Sequence, residues 1–340
     1  MASRSDRVLY VGTSDGLYLV EQEDGAFQAS LLGFQGMGVM RAPLIQDVDD
    51  PHRLYAGTTR AGFFVSEDQG ATWREMNRGI VYKDVWSIAQ HPLTKTLWTG
   101  TSPADVFRSD DRGETWHECE QLHTLRSTRE WTGPVPPHVS RMKCLGLDAG
   151  EPSAIYGAIE EGWAVRSLDH GQTWEQLADG MDHDAHTIAV MPDDSSVILA
   201  TGGKGVYRST DRGTTWSKCD DGIENCHYTP AYVVVRPNRP KELLTAVAAT
   251  GPGGWNRPEG PGVAFARSED QGQTWRILPD AVGEGFRPVP RALVGDIDNT
   301  DVYFAGMTDG SVWMSGDGGE HFDEITGGLP AVHSMAVAHR

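Results

Sequence analysis

The hydrophobic positions of this chain fall in short runs with alternating polar neighbours, and the runs come in pairs. LYAGT, IYGAI, LLTAV and VYFAG are each followed by a glycine-bearing turn and a second run such as GFFVS, GVYRS or SVWMS. A period of two broken by turn residues predicts antiparallel strands, and no helical period of useful length interrupts them. After the second runs stand copies of one motif: SEDQGATW from Ser66, SDDRGETW from Ser109, SLDHGQTW from Ser167, STDRGTTW from Ser209, SEDQGQTW from Ser268 and SGDGGEHF from Ser315. The copies start 43, 58, 42, 59 and 47 residues apart, a spacing that suits four short strands and their turns.

Each unit therefore reads strand, turn, strand, motif, strand. The N-terminal segment LYVGTSDGLYLVEQEDGAFQAS has the same hairpin shape without the motif and makes a seventh copy. At the other end, HSMAVAH resembles an innermost strand that lacks its own hairpin. Pairing the two closes a ring with no open edge to aggregate. The expected fold is all-β: one seven-bladed β-propeller over residues 1–340, closed by the C-terminal strand.

In the motif S-x-D-x-G-x-T-W, Ser and Asp side chains can bond backbone groups across a tight turn, Gly permits a positive φ, and Trp packs between blades. Asp68, Asp111, Asp169, Asp211, Asp270 and Asp317 are accordingly read as turn staples facing away from any site, not as catalytic acids or calcium ligands. These repeats resemble the BNR/Asp-box class of sialidases, large xyloglucan-degrading enzymes, sortilin-type receptors and a photosystem assembly factor. The resemblance implies the fold over nearly the whole chain. It implies no single activity, because the same repeat serves hydrolases, receptors and assembly factors.

Charge narrows the partners. The formal charge is −19, from 48 acidic and 29 basic residues, a field that repels nucleic acid and anionic membrane. The start, MASRSDRVLYVGTSDG, lacks the features of a secretory signal, so a cytoplasmic location is expected. Cys119, Cys144, Cys219 and Cys226 show neither CxxC nor zinc-ligand spacing and read as reduced thiols.

Aligning the seven innermost strands (RAPLIQD, WSIAQHP, KCLGLDA, HTIAVMP, AYVVVRP, RALVGDI, HSMAVAH) puts Arg41, Trp86, Lys143, His186, Ala231, Arg291 and His333 at one level of the channel. Two residues earlier, on the same face by the strand period, the ring reads Val39, Asp84, Arg141, Asp184, Thr229, Val289 and Ala331. Cationic and titratable groups thus concentrate at one mouth of a strongly acidic protein. The two longest insertions, residues 117–140 and 250–262, lead to the same face and bring Trp131 and Trp255 as walls or a lid.

Three functions follow from this ring. The first is a hydrolase or lyase acting on a small anionic or carboxylate-bearing substrate, a sugar among the options. Arg41, Arg141 and Arg291 would clamp the carboxylate, with Lys143, Trp86, Trp131 and Trp255 around it. His186 or His333, helped by Asp184, would move protons, and Tyr228 is available as a nucleophile. The segment RAPL at Arg41 is similar to the arginine motif before the first Asp box of sialidases, although sialidases resemble six-bladed rings. The second is a divalent-metal hydrolase with His138, His183, His186, His227 and His333 as ligands; no cofactor is otherwise called for. The third is a non-catalytic docking scaffold.

Overall fold

The computed structural model describes residues 7–39, 44–236, 238–283 and 285–339; Arg41 lies outside them. These residues form seven four-stranded antiparallel sheets. Blades 2 to 7 are each continuous in sequence, and their innermost strands are Leu44–Gln46, Asp84–Gln90, Arg141–Leu147, Ala185–Met191, Val234–Val235 and Pro290–Gly295. Blade 1 combines both chain ends: Val332–His339 is innermost and pairs antiparallel with Arg7–Thr13, in register from Arg7 opposite His339 to Thr13 opposite Val332. The ring is therefore closed by hydrogen bonds, as the sequence pattern implies.

The core lies between neighbouring blades, because each sheet is apolar on both faces. Tyr55 and Phe63 of blade 2 pack with Ile88, Phe107 and Trp116 of blade 3, and Trp98 of blade 3 packs with Met142, Ile155 and Trp174 of blade 4. Every blade thus depends on both neighbours for its burial, which makes the ring rigid.

All six motifs make the same bonds. Ser66 Oγ donates to Asp68 Oδ1 at 2.8 Å and accepts the Gly70 amide at 2.7 Å, while the Thr72 amide and hydroxyl donate to Asp68 at 2.8 and 2.6 Å. In the degenerate copy His321 replaces Thr and reaches Asp317 Oδ2 with Nδ1 at 2.7 Å. The turn needs two successive left-handed residues: Gln69 has φ 58° and Gly70 φ 91°. A Cβ on Gly70 would also stand 2.9 Å from Leu32.

The His321–Asp317 contact predicts a pH window. Although burial opposes it, the His321 bond holds the Asp317 carboxyl down at about 2, while Asp317 raises the His321 imidazole above its ordinary 6.5. The lowered carboxyl contributes stability above pH 3.8 that is lost as pH falls toward 2. The raised imidazole contributes stability below pH 6.5 that is lost as pH rises through its folded value. Amide exchange at His321, whose N–H donates to Asp317 at 3.0 Å, is expected to be slowest between these limits beyond its intrinsic pH dependence, and His321→Thr is expected to remove the alkaline loss. An unchanged alkaline profile in that variant would contradict the pairing.

Register fixes which end of each blade carries what. In blade 3, Asp84 pairs with Ser102 at one end, while Gln90 pairs with Leu97 and Leu97 with Ser109 at the other. The boxes therefore sit at the opposite end from the first residues of the inner strands. One inner strand departs from expectation: in blade 6 only Val234–Val235 is strand, and Ala231 lies ahead of it. Pro230 has no N–H for the ladder, and upstream of it the segment pairs with the second strand through the Tyr228–Ala248 bridge.

Candidate functional site

The inner strands share an irregularity at one level. Their pairing with the second strand skips Trp86 in blade 3, Lys143 in blade 4, His186 in blade 5 and Arg291 in blade 7, and the closing strand skips His333 in blade 1. A bulge inserts one unpaired residue and re-aims its side chain. Five of the seven aligned ring positions are thus bulged, which lets these residues and those two places earlier act on one mouth.

A continuous set of contacts crosses blades 3 to 7 there. The Arg141 guanidinium lies 4.5 Å from the centre of the Trp86 ring and donates to Glu160 at 2.7 Å. Lys143 Nζ donates to the other Glu160 oxygen at 2.5 Å, and both residues are nearly sealed, 3% and 5% exposed. Glu160, Asp184 and His186 each bring a ligand-type atom within 4.8 Å of the others. His186 Nε2 lies 3.1 Å from Asp184, and its ring meets Tyr228 edge-on with centroids 5.1 Å apart. Tyr228 in turn meets Trp255 at 6.0 Å, and the Arg291 guanidinium stands 4.5 Å from the Trp255 ring. Each guanidinium carbon thus stands over an indole within cation–π range.

The titrating groups are pushed apart. Burial raises the Asp84 carboxyl above its ordinary range, against Trp86, Arg141 and Arg60. Burial also acts on Asp184, but its bond to His186 and the Lys143 charge help to outweigh it and hold that carboxyl low. Burial and the Lys143 charge lower the His186 imidazole, against Asp184. His186 is therefore neutral near pH 7. With Nε2–H given to Asp184, an assignment made from the bonding partners, Nδ1 lies 3.4 Å from the Thr229 carbonyl, an acceptor it bonds only once it is protonated.

Several expected residues fall elsewhere. Trp131 is partly buried against the core between blades 3 and 4 that holds Leu122, Ile159 and Val165, beside Gly162 in the turn that follows Glu160, so it anchors its insertion next to the mouth. The five histidines proposed as a metal set do not assemble. Among the described residues, no group of three metal-binding side chains includes His138, His183, His227 or His333. His138 Nδ1 is bonded to the Gly133 carbonyl at 2.7 Å and His183 stacks edge-on with Trp163 at 4.2 Å. Arg141 and Lys143 are not bare cations, because Glu160 bridges them. Glu160 escaped the sequence reading because it ends a second strand, opposite Arg141. The cue was there: the matching position in blade 3 is the small Ser102.

Comparison with known proteins gives a fold and a repeat. The BNR/Asp-box repeat model matches residues 107–118 and 207–218. No curated protein matches the sequence. The GH74 xyloglucanase from Xanthomonas campestris superposes with a TM-score of 0.63 at 15% identity, over 84% of this chain and 45% of that one. An ancestral GH74 enzyme gives 0.63 at 14%, over 82% and 36%. YCF48 from Cyanidioschyzon merolae gives 0.55 at 12%, over 88% and 95%. The chain spans less than half the length of either enzyme, and at these identities the likeness is one of fold.

Proposed function

For a chain that is a seven-bladed β-propeller of BNR/Asp-box repeats, we propose an enzyme that binds a small carboxylate-bearing substrate, a uronate-type sugar or organic acid, at the bulged mouth and acts on it by hydrolase or lyase chemistry. The observation that carries this reading is the pair of guanidiniums over indole rings, Arg141 over Trp86 and Arg291 over Trp255, at the two ends of one contact network. Between them lies the Asp184–His186 pair. A guanidinium fork binds a carboxylate through two parallel hydrogen bonds, which fixes the orientation of the substrate.

The pKa pattern supports acid–base work. Burial shifts Asp84 toward its protonated form and His186 toward its neutral form, and groups driven apart in this way divide into donor and acceptor. A proton taken at His186 Nδ1 would be stabilised by the Thr229 carbonyl on one side and Asp184 on the other. The GH74 enzymes share only the fold, so xyloglucan is not inferred from them.

Incubation with oligouronides tests the reading and separates its two chemistries. Elimination yields an unsaturated product that absorbs in the ultraviolet, and hydrolysis yields new reducing ends without it. His186→Ala is expected to reduce either rate by roughly 10²- to 10⁴-fold while the folded state persists. An active protein whose rate is indifferent to His186→Ala would remove His186 from the chemistry.

A further inference from the structure

Below the mouth, the channel changes character. Past Arg291 and His333 the strands run Ala292-Leu293-Val294 and Ser334-Met335, and a cavity of about 430 Å³ opens, bordered by Ile45, Ile88, Val233, Val235, Leu293 and Met335 among others. None of its lining residues is charged, in a chain where 23% of residues are. On this wall Ser334 already donates its hydroxyl to the Val39 carbonyl at 3.0 Å. Tyr232 is the aromatic member of the lining. Such a wall has little to offer a sugar or a carboxylate, and few flat faces for a ring system. It matches linear hydrocarbon.

The cavity's far rim points the same way. Ile297, part of the lining, is 73% exposed in the turn that follows the inner strand of blade 7. The corresponding turns of blades 2 and 3 expose Val48 and Leu93 at 44% and 65%. Single exposed aliphatics are ordinary, but here three occupy equivalent turns and one continues an aliphatic cavity. Because the walls are strands paired into a closed ring, the cavity is pre-formed, and filling it requires little ordering of the protein.

We infer that the lower channel is a second ligand site, for the aliphatic chain of an alkyl or acyl compound, entered past Ile297 from the face that carries the Asp boxes. It is chemically separate from the cationic mouth and stands whether or not that mouth binds carboxylates. Each methylene moved from water into this cavity is expected to strengthen binding roughly fourfold.

Straight-chain primary alcohols from hexanol to decanol are the probes, because they carry hydrocarbon without charge. Calorimetric titration of the full chain is expected to show affinity climbing roughly fourfold per added methylene with a negative heat-capacity change. Val294→Trp, which fills the cavity from its wall, is expected to abolish binding. Ile297→Glu, at an exposed rim where folding is not at stake, is expected to weaken it several-fold. Absence of binding by every alcohol, affinity that does not change with chain length, or unchanged binding in Ile297→Glu together with a folded Val294→Trp would overturn the inference.

Discussion

A chain ending at Ala331 is expected to lose cooperative unfolding and to aggregate. The deleted strand, Val332–His339, forms the innermost rung of blade 1 and contributes Val332, Met335 and Ala338, all buried, to the core shared with its neighbours. Burying side chains of this size contributes about 1.5–3 kcal/mol for each of the larger ones, against a net stability of roughly 5–15 kcal/mol for a domain. The ladder from Arg7 to Thr13 would also be left as an open edge at a hydrophobic strand, the feature that templates association between chains. Far-ultraviolet dichroism and denaturant titration read the outcome, and a synthetic peptide covering Val332–His339 is expected to restore a cooperative transition by strand addition. A truncated chain that unfolds cooperatively with the full chain's midpoint would show that the closing strand is dispensable.

Glu160→Ala is expected to destabilise the fold by about 3–5 kcal/mol, the usual cost of removing one partner from a buried ion pair. Lys143, whose side chain is only 4% exposed, would lose its nearest carboxylate, and Arg141 would lose its 2.7 Å contact. The double variant Lys143→Met/Glu160→Leu is expected to recover part of that loss, since the hydrophobic pair needs no compensating charge while Arg141 still lacks its carboxylate. Chemical denaturation of the wild type, Glu160→Ala and the double variant measures both changes. A single variant that loses less than about 1 kcal/mol would place the pair in the range of solvated surface bridges and weaken the case for a preorganised mouth.

The repeat made the architecture readable. Six copies of a motif whose Ser, Asp, Gly and Thr all serve one turn leave few alternatives, and a lone alternating strand at the C-terminus with an unpartnered hairpin at the N-terminus implies closure. Aligning inner strands also brought Trp86, Lys143, His186, Arg291 and His333 to a common level, because the alignment follows the ladder. What it missed has physical causes. A bulge depends on pairing with the neighbouring strand, and nothing in WSIAQ or HTIAV marks the extra residue locally. Glu160 comes from a second strand and matters only because the register sets it opposite Arg141.

The same contrast separates the two ends of the channel. At the mouth, charge is held by burial and by indole faces; below it, aliphatic side chains line a cavity without a charged member. One strand supplies both within a few residues, as Arg291 and Leu293 show in blade 7. The closed ring holds these two chemistries apart at a fixed distance, which a flexible loop site could not do.

Isothermal titration of glucuronate and of glucose into the wild-type chain and Arg291→Ala is the decisive measurement for the mouth. Arg291 rests on Trp255 at the rim, so its removal is expected to leave the fold intact. If the mouth is a carboxylate site, glucuronate binds and glucose does not, and Arg291→Ala weakens glucuronate by at least tenfold, the effect of losing about 1.4 kcal/mol or more of charge-assisted hydrogen bonding. Equal binding of the acid and the neutral sugar, no binding of either, or an Arg291→Ala affinity equal to that of the wild type would contradict it.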